Sequence, residues 1–227
     1  MKRSEILTEL QSRLNRIVND SYEILCNKVV QNSISVPNEA SLQLHFGTVL
    51  KQVGVLHEYS LTDGFKIELE LPIELSECTA KSKGKARCDI YMELTNGKYS
   101  VYAAIELKHF KYIKTQEDTS DNSFALLCDL ENLEHYKEQY WEQDKKLLQC
   151  YAIVYTDNIN YTKESNGKRK SSGMRAFDLK GEISGVYEYT KERKVNLKLR
   201  HNADWDSFSV LSKNKESISH NFLKITF

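Results

Sequence analysis

Three charged residues stand at the ends of two otherwise apolar, strand-like runs, and their types suit hydrolytic chemistry. Asp89 opens the run CDIYMELT, and Glu106 and Lys108 close the run YSVYAAIELKHF. Two carboxylates held close together repel each other unless a cation lies between them. Mg²⁺ takes one or two protein carboxylates and completes its shell with water and phosphate oxygens. The pair therefore indicates metal-assisted phosphodiester hydrolysis, in which the lysine positions or deprotonates water or neutralises developing charge.

The stretch TNGK between the two runs predicts a β-hairpin, because Asn-Gly is the strongest short hairpin signal. A two-residue loop pairs Thr95 with Lys98. This register places Asp89 opposite Ala104 and diagonal to Glu106, roughly 7–8 Å away at the backbone. One divalent metal could then bridge the two carboxylates.

Side chains alternate along a strand, so Asp89, Glu106 and Lys108 share one face of the predicted hairpin. A three-residue bulged loop would break this parity. The opposite face is apolar or amphipathic throughout and is predicted to be core, which pins the register. Its members are Cys88, Ile90, Met92, Leu94, Tyr99, Val101, Ala103, Ile105 and Leu107.

Two helices precede the hairpin and supply a further acid. Apolar residues at helical spacing predict a helix over residues 4–28. A second helix is predicted to hold Pro37 in its first turn and to stop at Gly54. Glu39 and Gln43 are four residues apart on this second helix, so they lie on the same side of it.

The remaining elements predict a mixed α/β domain rather than a βαβ repeat. Alternating polarity predicts a strand over residues 65–71. After the hairpin, residues 124–140 return to helical period, and residues 147–156 read as a buried strand. A long polar loop and a β-rich remainder follow.

Length and composition restrict the class of protein. A chain of 227 residues with 40% hydrophobic and 28% charged residues is soluble and globular. No apolar run reaches the roughly 20 residues that span a bilayer, and the N-terminus does not resemble a signal peptide. Five cysteines without a CxxC pair indicate reduced, buried thiols in a cytoplasm and argue against a zinc site.

Formal net charge is zero, but acids concentrate in residues 115–145 and bases in residues 161–200. This asymmetry is compatible with one surface that faces a polyanion, and equally with ordinary solvated faces. Several bases in and before the long polar loop are candidates for phosphate contacts, the alternative being a solvated loop. These candidates are Lys111, Lys168, Arg169, Lys170 and Arg175.

The segments CDI and IELK, with the gap between them, resemble the PD-(D/E)XK nuclease superfamily, which includes restriction endonucleases. NEASLQ is similar to the helix before its core sheet, and LLCDLENLEHYK and CYAIVYTDN to its next helix and strand. The motif's proline is replaced by Cys88. The resemblance implies an α/β fold with a restriction-endonuclease-like three-layer core, in which helices flank a mixed central β-sheet. The expected organisation is a single domain, 1–227, with an N-terminal helix in 1–35, the core in 36–157 and a β-rich extension in 158–227.

The same resemblance implies a function and roles for four residues. Asp89 and Glu106 bind Mg²⁺, with Mn²⁺ as a substitute, Lys108 is the catalytic lysine, and Glu39 is an accessory acid. The implied enzyme is a cytoplasmic endonuclease of type II restriction-enzyme character, acting on double-stranded DNA as a homodimer and without a membrane. The sequence names neither a recognition site nor a methyltransferase partner.

Two other functions stay open. One is a non-catalytic or structure-specific DNA-binding component of a defence system or mobile element on the same fold. The other is a structural α/β protein with a charged solvent face, which would tolerate Asp89→Ala. The bare pattern of an acid, a gap and acid-x-Lys also recurs, for example at Asp129 with Asp144 and Lys146, but there it falls on a predicted helix.

Overall fold

The structure, a computed structural model, describes residues 2–74, 85–110, 117–144, 147–162, 179–211 and 217–227. Within these ranges the helices and strands follow the predicted order. They are α1 (Arg3–Val30), α2 (Glu39–Val55), β1 (Gly64–Glu74), β2 (Lys85–Thr95), β3 (Ser100–Phe110), α3 (Glu117–Asp144), β4 (Leu148–Thr156), β5 (Gly181–Glu188), β6 (Lys194–Ala203), β7 (Trp205–Leu211) and β8 (Ser217–Thr226). A short 3-10 turn, Ile159–Thr162, follows β4.

The described strands form a six-stranded sheet in the order β1-β2-β3-β4-β8-β7, and β5 and β6 form a separate hairpin. β3 and β4 run parallel, whereas the other neighbours in the sheet are antiparallel. Helices α1 and α2 pack on one face, and α3 with the β5–β6 hairpin packs on the other. The protein is therefore α/β, with a mixed sheet flanked by helices.

The predicted helix boundaries hold for α1 and need correction for α2. The Asn38 side chain accepts a hydrogen bond from the Ser41 amide at 2.8 Å, so Asn38 caps α2 and Pro37 precedes the cap instead of lying in the first turn. Gly54 lies inside the last turn and does not stop the helix. A Cβ there would come within 2.2 Å of the Phe65 ring, so its small size lets β1 pack against α2.

The predicted two-residue turn of the β2–β3 hairpin is wrong. Thr95 pairs with Ser100 instead of Lys98, and residues 96–99 form a longer loop. The Asn96 side chain accepts hydrogen bonds from the amides of Lys98 and Tyr99, which stabilises this loop. Because the register moves by two residues, the turn error by itself preserves the parity of the strands and changes only the cross-strand partners.

Partway along β1 and β2, side chains of the same parity change from one face of the sheet to the other. Phe65 and Ile90 lie in the core under α1 and α2, whereas Ile73 and Cys88, which share their parity, lie in the core under α3. Between these positions Glu70 has a positive φ of 55°, a conformation that side chains rarely adopt. The prediction that Cys88 shares one core face with Ile90, Met92 and Leu94 is therefore wrong, because strict alternation fails at this distortion.

Acidic side chains of α3 hold the outer edge of β6. The Glu131 carboxylate accepts from the Asn196 amide at 2.9 Å, and Glu134 accepts from the amides of Lys198 and Leu199 at 2.8 and 3.0 Å. The carboxylates thus accept the hydrogen bonds that the carbonyls of a neighbouring strand would otherwise accept. Glu131 and Glu134 belong to the acid-rich segment 115–145, and their carboxylates are bonded to backbone amides inside the molecule.

Four cysteines in the described ranges, Cys26, Cys88, Cys128 and Cys150, are buried and free, as predicted for reduced thiols. In the part of the chain that the structure describes, no helix is both long and apolar enough to cross a membrane.

Candidate active site

The hairpin places the two predicted metal-binding residues on adjacent strands, and the Asp89 carboxylate accepts a hydrogen bond from the amide that follows Glu106. Ile90 pairs with Ile105, and continuing this register places Asp89 opposite Glu106. The predicted pairing of Asp89 with Ala104 is wrong, since Ala104 pairs with Tyr91.

Asp89 is held through its side chain and its main chain. Its Oδ2 accepts a hydrogen bond from the Leu107 amide at 2.7 Å, and its main-chain carbonyl accepts one from Gln43 Nε2 at 2.8 Å. The same Gln43 nitrogen donates to Glu70 Oε1 at 3.0 Å. In the ladder between β1 and β2, the residues on either side of Glu70 and Asp89 are paired, but these two residues are not. The side-chain amide of Gln43 on α2 therefore donates to the Asp89 carbonyl in place of a strand neighbour.

Burial raises the pKa of Asp89. The hydrogen bond from the Leu107 amide and the charge of Lys108 oppose this rise, and the nearby carboxylates of Asp129 and Glu39 add to it. Asp89 therefore lies among charges of both signs, in a partly buried position where a cation would favour its ionised form.

Lys108 links the two helical layers at the end of β3. Its Nζ lies 2.9 Å from Asp129 Oδ2 on α3 and 3.4 Å from Glu39 Oε1 at the start of α2. It also donates to the Leu107 carbonyl at 2.8 Å. The Lys108 side chain is 11% exposed, that of Asp129 0% and that of Glu39 47%. Lys108 thus contacts a buried acid, Asp129, on α3 and a more exposed acid, Glu39, at the start of α2.

The electrostatic surroundings keep Lys108 as an ammonium. Burial alone lowers its pKa, but the carboxylates of Asp129 and Glu39 outweigh burial, and the net effect raises the pKa above its usual value. A group in this state stabilises negative charge and donates hydrogen bonds.

Glu106 lies deeper than Asp89. It is 3% exposed and close enough to Cys88 and Tyr136 that its charge, after burial itself, raises the pKa of both side chains. The carboxylate thus faces the core beneath α3, whereas Glu39 marks the solvent side of the site.

The donor set suits a hard divalent cation. Asp89, Asp129 and Glu39 carry carboxylates near the Lys108 ammonium, and Glu106 lies on the strand adjacent to Asp89. Mg²⁺ requires no more than one or two such protein ligands. Within the described ranges, no three His, Cys, Asp or Glu side chains are already arranged as a metal cluster. Asp89 and Glu106 are the two acids on adjacent strands, and together they match the small ligand number of Mg²⁺.

The structure brings together four of the residues singled out from sequence: Asp89, Glu106, Lys108 and Glu39. The five basic candidates, Lys111, Lys168, Arg169, Lys170 and Arg175, lie outside the described residues.

Sequence reasoning gave Gln43 no role and dismissed Asp129 as a chance match on a helix. The available signal for Asp129 was an acid inside the apolar run FALLCDLENL, where an unpaired charge would be costly.

Comparison of the chain with models of known protein families, with curated proteins and with solved structures found no match.

Proposed function

We propose that this protein is a Mg²⁺-dependent endonuclease of the PD-(D/E)XK type that hydrolyses phosphodiester bonds in DNA. The observation that carries the proposal is the convergence of Asp89, Glu106, Lys108 and Glu39 from β2, β3 and α2 at one end of the sheet. A charged solvent face does not require two buried or partly buried acids on adjacent strands, an enclosed ammonium and an amide that fixes one acid's main chain.

Each residue has a role in this proposal. Asp89 and Glu106 would hold Mg²⁺, or Mn²⁺ in its place, and the ion would activate a water molecule and stabilise charge on the phosphate. Lys108 neutralises the negative charge that develops on the phosphate oxygens. Glu39, half-exposed and beside the ammonium, orients Lys108 from the solvent side. Gln43 keeps Asp89 in place through its carbonyl.

The overall architecture is compatible with the proposed nuclease, although it is not specific to this class of enzyme. A mixed sheet flanked by helices, in the order helix, hairpin, helix and strand, is compatible with a restriction-endonuclease-like fold. Double-stranded DNA as substrate, a type II restriction-enzyme character and a homodimeric assembly are proposed from the family resemblance.

The experiment is incubation of purified protein with plasmid and phage-length DNA, in Mg²⁺ or in EDTA. Asp89→Asn keeps the side-chain volume and removes the charge, so we expect cleavage to fall at least about 100-fold, beyond the loss typical of a residue that merely orients a ligand. Asp204→Asn, an exposed acid between β6 and β7, is the matched control and should cleave like wild type. Unfolding curves of both variants establish that they are folded.

Each outcome has a distinct meaning. Discrete Mg²⁺-dependent fragments, lost in Asp89→Asn, would establish a sequence-specific endonuclease, and a smear lost in the same variant would indicate a nonspecific or structure-specific one. DNA binding without cleavage would favour a non-catalytic component of a defence system or mobile element. Neither binding nor cleavage, with equal Mg²⁺ affinity for wild type and Asp89→Asn, would leave a structural protein and end the proposal.

A further inference from the structure

The hydroxyl of Tyr136 is a buried polar group that the site, as described so far, does not use. Tyr136 lies on α3, is 0% exposed and packs in the same core as Cys88 and Ala104. Among the residues that the structure describes, its hydroxyl has no hydrogen-bond partner. A buried hydroxyl without a partner reduces the free energy of unfolding, so its retention calls for a reason.

The surroundings of this hydroxyl are acidic. The pKa of Tyr136 is raised by burial and then by the negative charge of Glu106, with Cys88, Asp129 and Asp89 adding to it. Tyr136 therefore lies within electrostatic range of the acids that would bind a cation, and its buried hydroxyl has no hydrogen-bond partner among the described residues.

A hydrated divalent cation satisfies this hydroxyl and the carboxylates together. Mg²⁺ retains several of its water molecules when it binds to protein carboxylates. A phenol accepts a hydrogen bond from such a water and donates its own proton in a second hydrogen bond to a carboxylate oxygen. Groups of this kind orient metal ligands and contribute to affinity without touching the ion.

We propose that Tyr136 is a positioning residue of the cation site, and that its hydroxyl bonds to the Glu106 carboxylate and to a water molecule of the bound ion. This inference rests on the cation site of the proposed function and adds a residue that the sequence motif does not contain. It predicts opposite effects of one substitution on the cation-free and the cation-bound protein.

The test is thermal unfolding of wild type and Tyr136→Phe in EDTA and in MgCl₂, with Mg²⁺ affinity measured by calorimetry. Removing an unsatisfied hydroxyl should leave the unfolding temperature in EDTA unchanged or raise it. In MgCl₂ the variant should gain less stabilisation than wild type, and its Mg²⁺ affinity should fall by about tenfold.

Tyr151→Phe is the matched control. Tyr151 is equally buried, but it lies in the core under α1 and α2, and its hydroxyl donates to Asn15 Oδ1. Losing this satisfied bond should lower the unfolding temperature in both buffers and leave the Mg²⁺-induced increase unchanged.

Three results would decide the matter. If Tyr136→Phe behaves like Tyr151→Phe, the hydroxyl is structural and the inference is overturned while the proposed nuclease stands. If wild type binds Mg²⁺ with Tyr136-dependent affinity but cleaves no DNA, the inference stands and the nuclease proposal fails. If Mg²⁺ neither binds wild type nor raises its unfolding temperature, both fail.

Discussion

At the scale of single residues, the ion pair of Lys108 with Asp129 is the most constrained contact of the site. The carboxylate is fully buried on α3, and its distance of 2.9 Å to Nζ is that of a charge-assisted hydrogen bond. Burying two charges is costly, and their mutual attraction offsets that cost only while both are present. The pair therefore fixes the lysine head group and makes each partner dependent on the other.

Lys108→Met should lower the free energy of unfolding by about 3 kcal/mol, because it leaves the buried Asp129 carboxylate uncompensated. Urea denaturation measures the change. Lys66→Met, an exposed lysine on β1, should stay within about 0.5 kcal/mol of wild type.

The double variant Lys108→Met with Asp129→Leu removes both charges and should be more stable than Lys108→Met alone. Equal stability of the single and double variants would show that the two charges are not coupled in the folded protein.

At the scale of elements, α3 connects the site to the β5–β6 hairpin. Its buried face carries Asp129 toward Lys108 and, one to two turns later, Glu134 toward β6. Glu134 also lies 2.7 Å from Nε2 of His201, which is fully buried. The helix thus has polar attachments on both sides, and the position of Asp129 depends on how α3 is packed.

Glu134→Ala should lower the free energy of unfolding by roughly 3 kcal/mol, because it leaves the amides of Lys198 and Leu199 without their acceptor. Glu138→Ala lies one turn further along the helix and removes an exposed ion pair with Lys198, so it should cost no more than about 0.5 kcal/mol.

Urea denaturation and hydrogen exchange at the two β6 amides measure the effect of Glu134→Ala. Unchanged exchange protection at both amides would contradict the assignment of Glu134 as the group that replaces a neighbouring strand.

At the scale of the whole molecule, long-range polar contacts join α1 to the loop that leads into the sheet. Arg13 Nη2 lies 2.6 Å from Asp63 Oδ2 and also donates to the His57 carbonyl. Asp63 further accepts from the Tyr59 amide at 3.0 Å and from the Ser60 hydroxyl at 2.7 Å. This network connects the N-terminal helix to the α2–β1 loop across some 50 residues of sequence.

The Asp63 network should make stability depend on acidic pH. Burial raises the pKa of Asp63, but the bonds from Arg13, Ser60 and the Tyr59 amide outweigh burial and hold the pKa below its usual value. A carboxyl whose pKa is lowered by folding stabilises the protein above its unfolded value, and this contribution is lost as pH falls through the folded value.

Asp63→Asn should therefore be less stable than wild type at pH 7, and the difference should narrow as pH falls below about 4. Urea denaturation across this range measures it. A difference that stays constant down to pH 3 would contradict the pKa assignment.

Much of this architecture was predictable because it is encoded locally. Helical periodicity gave α1 and α2 to within a few residues, and alternating polarity gave β1 and the hairpin strands. The error in the turn did not change the parity of the two strands, because the register shifted by two residues. The predicted face of Cys88 was wrong, because the distortion at Glu70 breaks the alternation of side chains on which that prediction depended.

The sequence by itself determined the element order and the residue types of the candidate site, because adjacent residues on a strand or helix obey fixed periodicities. Tertiary structure decided which distant groups meet them, such as Asp129 at Lys108 and Gln43 on the Asp89 carbonyl. Those contacts depend on how α2 and α3 pack against the sheet. Packing arises from the sum of many apolar contacts across the chain, and no local pattern of charges specifies it.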